Sequence, residues 1–204
     1  CGRTFLAAGL IDEAKSEAQH MINVLKPFVE RKVPIIGLEP SCLLTLRDEF
    51  QAMIPGADTN ELAKRALLFE EFLAQEQDSG KLKIPLKPIT ATHALVHGHC
   101  HQKAFDTLGD LEKTLNLLPG LEFQTISSGC CGMAGAFGYD ADNYDISMKM
   151  AEESLLPAVR KAATAQGDII LVAGGTSCRH QIKDGTGCKA VHIARLIESA
   201  LIVD

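Results

Sequence analysis

Cys130-Cys131-Gly132 is followed by a lone cysteine, Cys178, in Gly175-Thr176-Ser177-Cys178. The chain opens in a similar way, with Cys1-Gly2 and then Cys42 in Glu39-Pro40-Ser41-Cys42. In both halves the intervening stretch reads as a long amphipathic helix and then a short apolar strand. This is an internal repeat of a cysteine-bearing unit, and thiols recurring in that manner point first to metal or iron–sulfur chemistry.

Cys100, Cys130, Cys131 and Cys178 offer four sulfurs, the number taken by a tetrahedral zinc ion or by a cluster. Two adjacent cysteines chelate one small ion only with strain, whereas a multi-iron cluster can take each sulfur on a different iron. The spacing is also unlike the Cys-x-x-Cys knuckles of structural zinc sites, so iron–sulfur is favoured over zinc. The bland alternative is a set of buried thiols. Gly129 and Gly132 argue against it, because they mark a loop whose backbone makes a close approach. His97, His99 and His101 surround Cys100, and strand alternation puts His97 and His99 on one face with Cys100 on the other. His180 stands two positions after Cys178. His99, His101 and His180 are read as groups that hydrogen-bond a thiolate or the backbone, the more usual role beside a metal than ligation.

These residues need elements to position them. Helical spacing covers Leu10 to Arg31, with Pro27 as a kink, and a short apolar strand follows from Val33 to Leu38. Helices are expected over Leu43 to Met53 and over Thr59 to Gln77, the second capped by Thr59. Asp78 to Lys87, with Gly80, Pro85 and several charges, is the linker candidate. Strands then follow at Thr92 to His97, Leu121 to Ile126 and Ile169 to Ala173. They alternate with helices at Gln102 to Leu118 and Ala141 to Ala165, and a short strand and last helix close the chain over Ala190 to Leu201. Alternating strands and helices imply an α/β fold, with parallel sheets flanked by helices. Cys42, Cys100, Cys130, Cys131 and Cys178 each fall just past the carboxyl end of a strand, the edge where open α/β sheets collect ligands.

Composition narrows the function classes. The chain has 204 residues, 46% of them hydrophobic, enough for a packed core without disulfide staples. A net charge of −6 with no basic block argues against nucleic acid and anionic membrane surfaces. No apolar run approaches the roughly 20 residues of a membrane span. The chain lacks an initiator Met and opens inside a motif, which reads as a piece of a longer parent. Seven cysteines without a secretory signal suggest reduced thiols or ligands.

Other features are weaker. Cys188, in a turn before the last strand, reads as structural, and His20, His93 and His192 as surface or core residues. Gly132 to Gly138 matches neither a dinucleotide fingerprint nor a P-loop. Asp140, Asp142 and Asp145 are expected to cap and line the following helix, and Glu70-Glu71 to lie on a solvated helix face.

Cys130-Cys131-Gly132, Cys100 between two histidines, and Cys178 with Gln181-Ile182 downstream resemble the cysteine-rich CCG domain family. That family includes the B-type component of heterodisulfide reductase and the iron–sulfur components of glycolate oxidase. The residues around the motifs are most similar to the C-terminal region of FAD-linked 2-hydroxyacid dehydrogenases. The resemblance implies two pseudo-symmetric lobes: residues 1–80 as a remnant of a first repeat plus a helical linker, and residues 81–204 as a second, complete repeat. It implies Cys100, Cys130, Cys131 and Cys178 as ligands of a 4Fe-4S type cluster, with Cys1 and Cys42 as first-repeat remnants. Where the fullest form of the family has a last cysteine, this chain has Gln181, which removes a fifth ligand.

The implied role is an electron-transfer module of a flavin-linked oxidoreductase acting on D-lactate, glycolate or 2-hydroxyglutarate, not active alone. FAD would sit in other parent regions. The expected partners are flavin and ferredoxin-like domains of the parent, in the cytoplasm or peripheral at the inner face of the membrane. The cluster is expected in the parent, with the site in this piece holding zinc or empty; two rivals stay open, a structural zinc or docking module and a thiol–disulfide redox domain using Cys130 and Cys131.

Overall fold

A computed structural model describes residues 1–164 and 168–202. The chain divides into two compact units, Cys1–Phe72 and Leu73–Asp204. The fold is α/β, with parallel sheets flanked by helices.

The first unit begins with α1 (Arg3–Ala7) and α2 (Ile11–Glu30), followed by β1 (Ile35–Gly37). It continues through α3 (Pro40–Thr45), α4 (Glu49–Met53), α5 (Ala57–Arg65) and β2 (Ala66–Leu68). In α2 the helical spacing buries Ala14, Ala18, Ile22 and Val29 along one stripe. Pro27 falls within its last turn, where its carbonyl accepts from Arg31 Nε at 3.1 Å. The expected helix from Leu43 to Met53 is broken into α3 and α4. The expected helix from Thr59 to Gln77 is interrupted by β2, which pairs in parallel with β1, Ile35 opposite Ala66. Ala66-Leu67-Leu68 has strong helix formers, and strand pairing overrides that local preference. Thr59 lies inside α5, its hydroxyl donating to the Ile54 carbonyl at 2.7 Å, and Gly56 holds the cap position instead.

The next helix, α6 (Phe69–Asp78), carries the boundary between the units. Its first turn corrects the reading of Glu70-Glu71 as solvated, since both are buried. Arg47 Nη1 reaches the two Glu71 oxygens at 2.7 and 2.9 Å, and the Leu68 amide donates to Glu71 Oε2 at 2.7 Å. A buried carboxylate is tolerated when paired and hydrogen-bonded in this way.

The second unit holds β3 (His93–His97), α7 (Cys100–Ala104), α8 (Leu108–Leu115), β4 (Glu122–Thr125), α9 (Tyr144–Glu152) and α10 (Leu155–Ala163). It closes with β5 (Ile169–Ala173), α11 (Thr176–Thr186), β6 (Ala190–Val191) and α12 (Ile193–Ala200). The helix expected over Ala141 to Ala165 is a 3-10 turn followed by α9 and α10, and its expected end at Ala165 lies outside the described residues. The stretch after α6 is not a free linker: Leu86 bridges Leu201, and the Lys87 amide donates to the Ala200 carbonyl at 2.8 Å. All pairings in the sheet are parallel, in the order β4-β3-β5-β6.

That order makes β3 the pivot. The chain leaves β3 toward β4 on one side, then returns to place β5 on the other. The carboxyl ends of β3 and β5 therefore flank a topological switch point, where the following loops diverge and leave a crevice. Ile126, Leu155, Leu156, Val159, Ala173 and Ile182 pack into one core, and Cys131 and Cys178 belong to the same cluster.

The two units repeat one piece of geometry. Ile35 faces Ala66 across β1 and β2 as Leu171 faces Ala190 across β5 and β6, and Cys42 follows β1 at the same sequence offset as Cys178 follows β5. Leu156 anchors the core of the second unit; a Cβ on Gly185 would come within 2.4 Å of its Cδ1. Leu156→Ala is expected to lower the stability of this unit by about 2–5 kcal/mol in urea unfolding followed by circular dichroism, and a loss under about 1 kcal/mol contradicts this packing.

Candidate metal centre

Strand β3 ends at His97, and the chain turns at once into α7. His99 is the N-cap: its ring Nδ1 accepts from the His101 amide at 3.1 Å, while the His99 amide donates to Gln102 Oε1 at 2.9 Å. This reciprocal capping box uses an imidazole where a hydroxyl or carboxylate is usual. It also corrects the alternation expected across His97, His99 and Cys100, because only His97 belongs to the strand. The cap fixes Cys100 as the first residue of the helix.

The Cys130-Cys131-Gly132 loop leaves the carboxyl end of β4 and is held from two sides. Lys103, on α7, donates through Nζ to the carbonyl of Ser128, to the carbonyl of Gly129 at 3.0 Å and to Ser128 Oγ at 3.4 Å. At Gly132 φ is +91°, and a Cβ there would lie 2.1 Å from the Ser147 carbonyl oxygen. Only glycine combines that conformation with so close an approach. Gln181, at the position where a fifth cysteine is missing, donates through Nε2 to Ser147 Oγ at 2.9 Å and to the Ser147 carbonyl at 3.2 Å. Gly175, before α11, makes similar room: a Cβ would lie 2.5 Å from His99 Cδ2 and 3.3 Å from Cys178 Sγ.

The four thiols interact pairwise as a chain, Cys100 with Cys130, Cys130 with Cys131, and Cys131 with Cys178. The proton is unevenly shared along it. Hydrogen bonds from Cys100 and then Cys131, with the Gly132 amide at 3.3 Å, favour the thiolate at Cys130. Cys178 is likewise held below the ordinary thiol range, first by Cys131 and, against its burial, by His97. Cys100 is raised by its bond to Cys130 and by burial, and Cys131 by its bonds to Cys130 and Cys178 and by burial. Lys103 is lowered by desolvation, opposed by its charge interactions with the four cysteines.

Two tight groups of ligand atoms stand at this edge, each with all atoms within 4.8 Å of one another: His97 with Cys131 and Cys178, and His99 with Cys100 and His101. His97, one of the histidines that spacing placed around Cys100, stands in the first group; its buried Nε2 has no partner at ordinary hydrogen-bond geometry among the described residues, yet the ring acts on Cys178 and lowers that thiol. Lys103 and Ser128 were missed, since nothing in a lone lysine or serine marks it before β3 and β4 are paired. His180 joins neither group; its Nδ1 lies 2.5 Å from the Tyr139 hydroxyl. Asp140 does cap the 3-10 turn, accepting from the Asp142 amide at 3.0 Å. Cys188 sits in its turn, its amide bonded to Thr186 Oγ1 at 3.1 Å.

In the first unit, Cys42 follows β1 on α3, where burial and then Glu39 push its thiol up. A side-chain hydrogen bond with Ser41 and the charge of Arg3 act on it in the opposite sense. Cys1 and Cys42 are both partly exposed.

The donor set of the second unit fits a thiophilic centre: four sulfurs, two with thiolate character, beside the buried His97 imidazole. Among the described residues no helix is long and apolar enough to cross a membrane.

Comparison with known proteins agrees with oxidoreductase chemistry. The chain is 30% identical to the C component of the anaerobic glycerol-3-phosphate dehydrogenase of Escherichia coli, over 98% of this chain and 49% of that protein. It is 27% identical to the D-2-hydroxyglutarate dehydrogenase of Escherichia coli, over 89% of this chain and 17% of that enzyme. Lactate utilization protein A 1 of Bacillus mycoides is 25% identical over 97% of this chain and 80% of that protein. The chain spans about half the length of the glycerol-3-phosphate dehydrogenase relatives it matches. No family model matches the chain, and no solved structure matches it. These relatives are dehydrogenase and lactate-utilisation proteins, consistent with a cysteine-rich domain of the CCG type.

Gly132→Ala is expected to destabilise the second unit by more than about 1 kcal/mol, since it combines backbone strain with a steric clash. It should also expose Cys131 to a thiol reagent that the wild type excludes; unchanged stability and unchanged labelling contradict the close approach. Thiophilic ions need every sulfur deprotonated, so the raised Cys100 and Cys131 thiols must release protons on binding. Cobalt(II) affinity of the metal-free protein, read from thiolate charge-transfer absorption, should therefore strengthen as pH rises from about 6 to 8. A flat profile contradicts this proton balance.

Proposed function

We propose that the Leu73–Asp204 unit is a cysteine-rich electron-transfer module, of the iron–sulfur type, within a multidomain flavin-linked dehydrogenase. The observation that carries the reading is the convergence of Cys100, Cys130, Cys131 and Cys178 from the segments that follow three parallel strands, two at the starts of α7 and α11 and two in the loop after β4. Thiols without a function have no reason to gather there with the buried His97 ring among them.

The four cysteines would hold the cluster, and when bound it would supply a one-electron carrier at the protein edge. The chain's own residues would tune that carrier. Gly132 and Gly175 allow the backbone and the His99 ring to close on the sulfurs. Lys103 holds the loop before the cysteine pair and brings a positive charge toward a site rich in negative sulfur. Gln181, tied to Ser147, fills the space near Gly132 and offers no fifth sulfur. His99 and His101 would serve as hydrogen-bonding neighbours of Cys100.

Residues 1–80 are read as part of a first repeat with Cys1 and Cys42, and residues 81–204 as a second repeat. The names of the relatives suggest the substrate class. Glycerol-3-phosphate, 2-hydroxyglutarate and lactate are each small anions bearing a secondary hydroxyl. A 2-hydroxyacid, oxidised at a flavin elsewhere in the assembly, is the proposed electron source, and flavin and ferredoxin-like domains are the proposed partners.

Iron and acid-labile sulfide, measured on protein prepared without oxygen and reconstituted, test the reading. The wild type should hold both, Cys131→Ser should lose most of the iron, and Cys188→Ser should retain it. Zinc alone, bound tightly with no visible absorption, would favour a structural or docking role. An iron-free protein whose Cys130 and Cys131 cycle between dithiol and disulfide would favour thiol–disulfide chemistry.

A further inference from the structure

His97, at the carboxyl end of β3, is 1% exposed. Its Nδ1 lies 3.0 Å from Ser128 Oγ, and among the described residues its buried Nε2 has no partner at ordinary hydrogen-bond geometry. The ring belongs to the same tight group as the Cys131 and Cys178 sulfurs. A neutral imidazole carries one proton, so the partner at one nitrogen decides what the other offers.

Ser128 is the partner at Nδ1. Its Oγ receives Lys103 Nζ at 3.4 Å, and an ammonium can only donate. That contact takes one of the two lone pairs on Oγ and leaves the serine O–H free to donate to His97 Nδ1, 3.0 Å away. With Nδ1 accepting, the ring proton stands on Nε2. The electrostatics select this arrangement: a lone pair on Nε2 would face Cys178, whose sulfur has thiolate character, and be repelled, whereas an N–H there is attracted.

We propose that His97 is an N–H donor to the Cys178 and Cys131 sulfurs, fixed in the Nε2–H tautomer by Ser128 and Lys103, and that it raises the reduction potential of the centre those thiols hold. It is a positioning and tuning residue and not a metal ligand. The donor draws electron density from the sulfur and so stabilises the more negative, reduced state. The potential half of the proposal rests on the electron-transfer reading; the tautomer half does not.

Long-range proton–nitrogen NMR of the whole chain, metal-free and reduced, reads the tautomer directly. The expected spectrum has His97 Nε2 protonated and Nδ1 bare, with Ser128→Ala moving the ring toward the other tautomer. A proton on Nδ1 in the wild type overturns the proposal. On cluster-loaded protein, His97→Phe and Ser128→Ala should both lower the midpoint potential, and Lys103→Arg should keep it near the wild-type value. Ser128→Ala leaves the imidazole in place, so it decides the matter if His97→Phe fails to fold. An unchanged potential in Ser128→Ala overturns the tuning role. A wild type that takes up no cluster overturns the electron-transfer reading and the tuning role with it, while the NMR spectrum still decides the donor.

Discussion

The pairing of β3 with β4 on one side and β5 on the other is the constraint on which the site depends. Ala94 faces Phe123 across one ladder and Ile170 across the other, so the register of all three strands is set by one central strand. A slip of one residue in either ladder would exchange the two faces of a strand and separate the loops beyond it. With the register as it stands, Cys100, the Cys130-Cys131 pair and Cys178 emerge at one sheet edge, although the first and last lie far apart in sequence. The core beneath α10 and α11 then sets the depth: Cys131 and Cys178 are packed into it, while Cys100 and Cys130 remain partly exposed.

Close backbone approaches turn that convergence into a site. Gly132 against Ser147, and Gly175 against His99 and Cys178, are positions where a methyl group has no room. The polar groups freed by these turns are taken up locally: the Gly132 amide meets Cys130 Sγ, Gln181 meets Ser147, and Lys103 meets the carbonyls of Ser128 and Gly129. Buried polar groups left unmet would cost more than the hydrogen bonds gain, so the network and the thiol geometry hold together as one.

Much of this was legible in the residues. The α/β alternation, the parallel sheet, and the position of each cysteine past a strand end follow from apolar runs and periodicity that the structure keeps. Strand β2 was not legible, because Ala66-Leu67-Leu68 has helix-forming residues and becomes a strand only through its partner β1. Glu71 looked solvated because its partner Arg47 lies outside any local window. His97 could be seen beside Cys100, yet its burial and the reach of Ser128 and Lys103 exist only once β3 and β4 are paired. What sequence spacing cannot carry is tertiary adjacency, and the tuning of a site lies there.

The central claim is that these four cysteines hold an iron–sulfur cluster. Mössbauer spectroscopy of the chain, loaded anaerobically with iron-57 and sulfide, tests it most directly. The account predicts quadrupole doublets of sulfur-coordinated, exchange-coupled cluster iron, absent when Cys131 is replaced by serine. Spectra containing only isolated iron, or signals unaffected by that replacement, would contradict it.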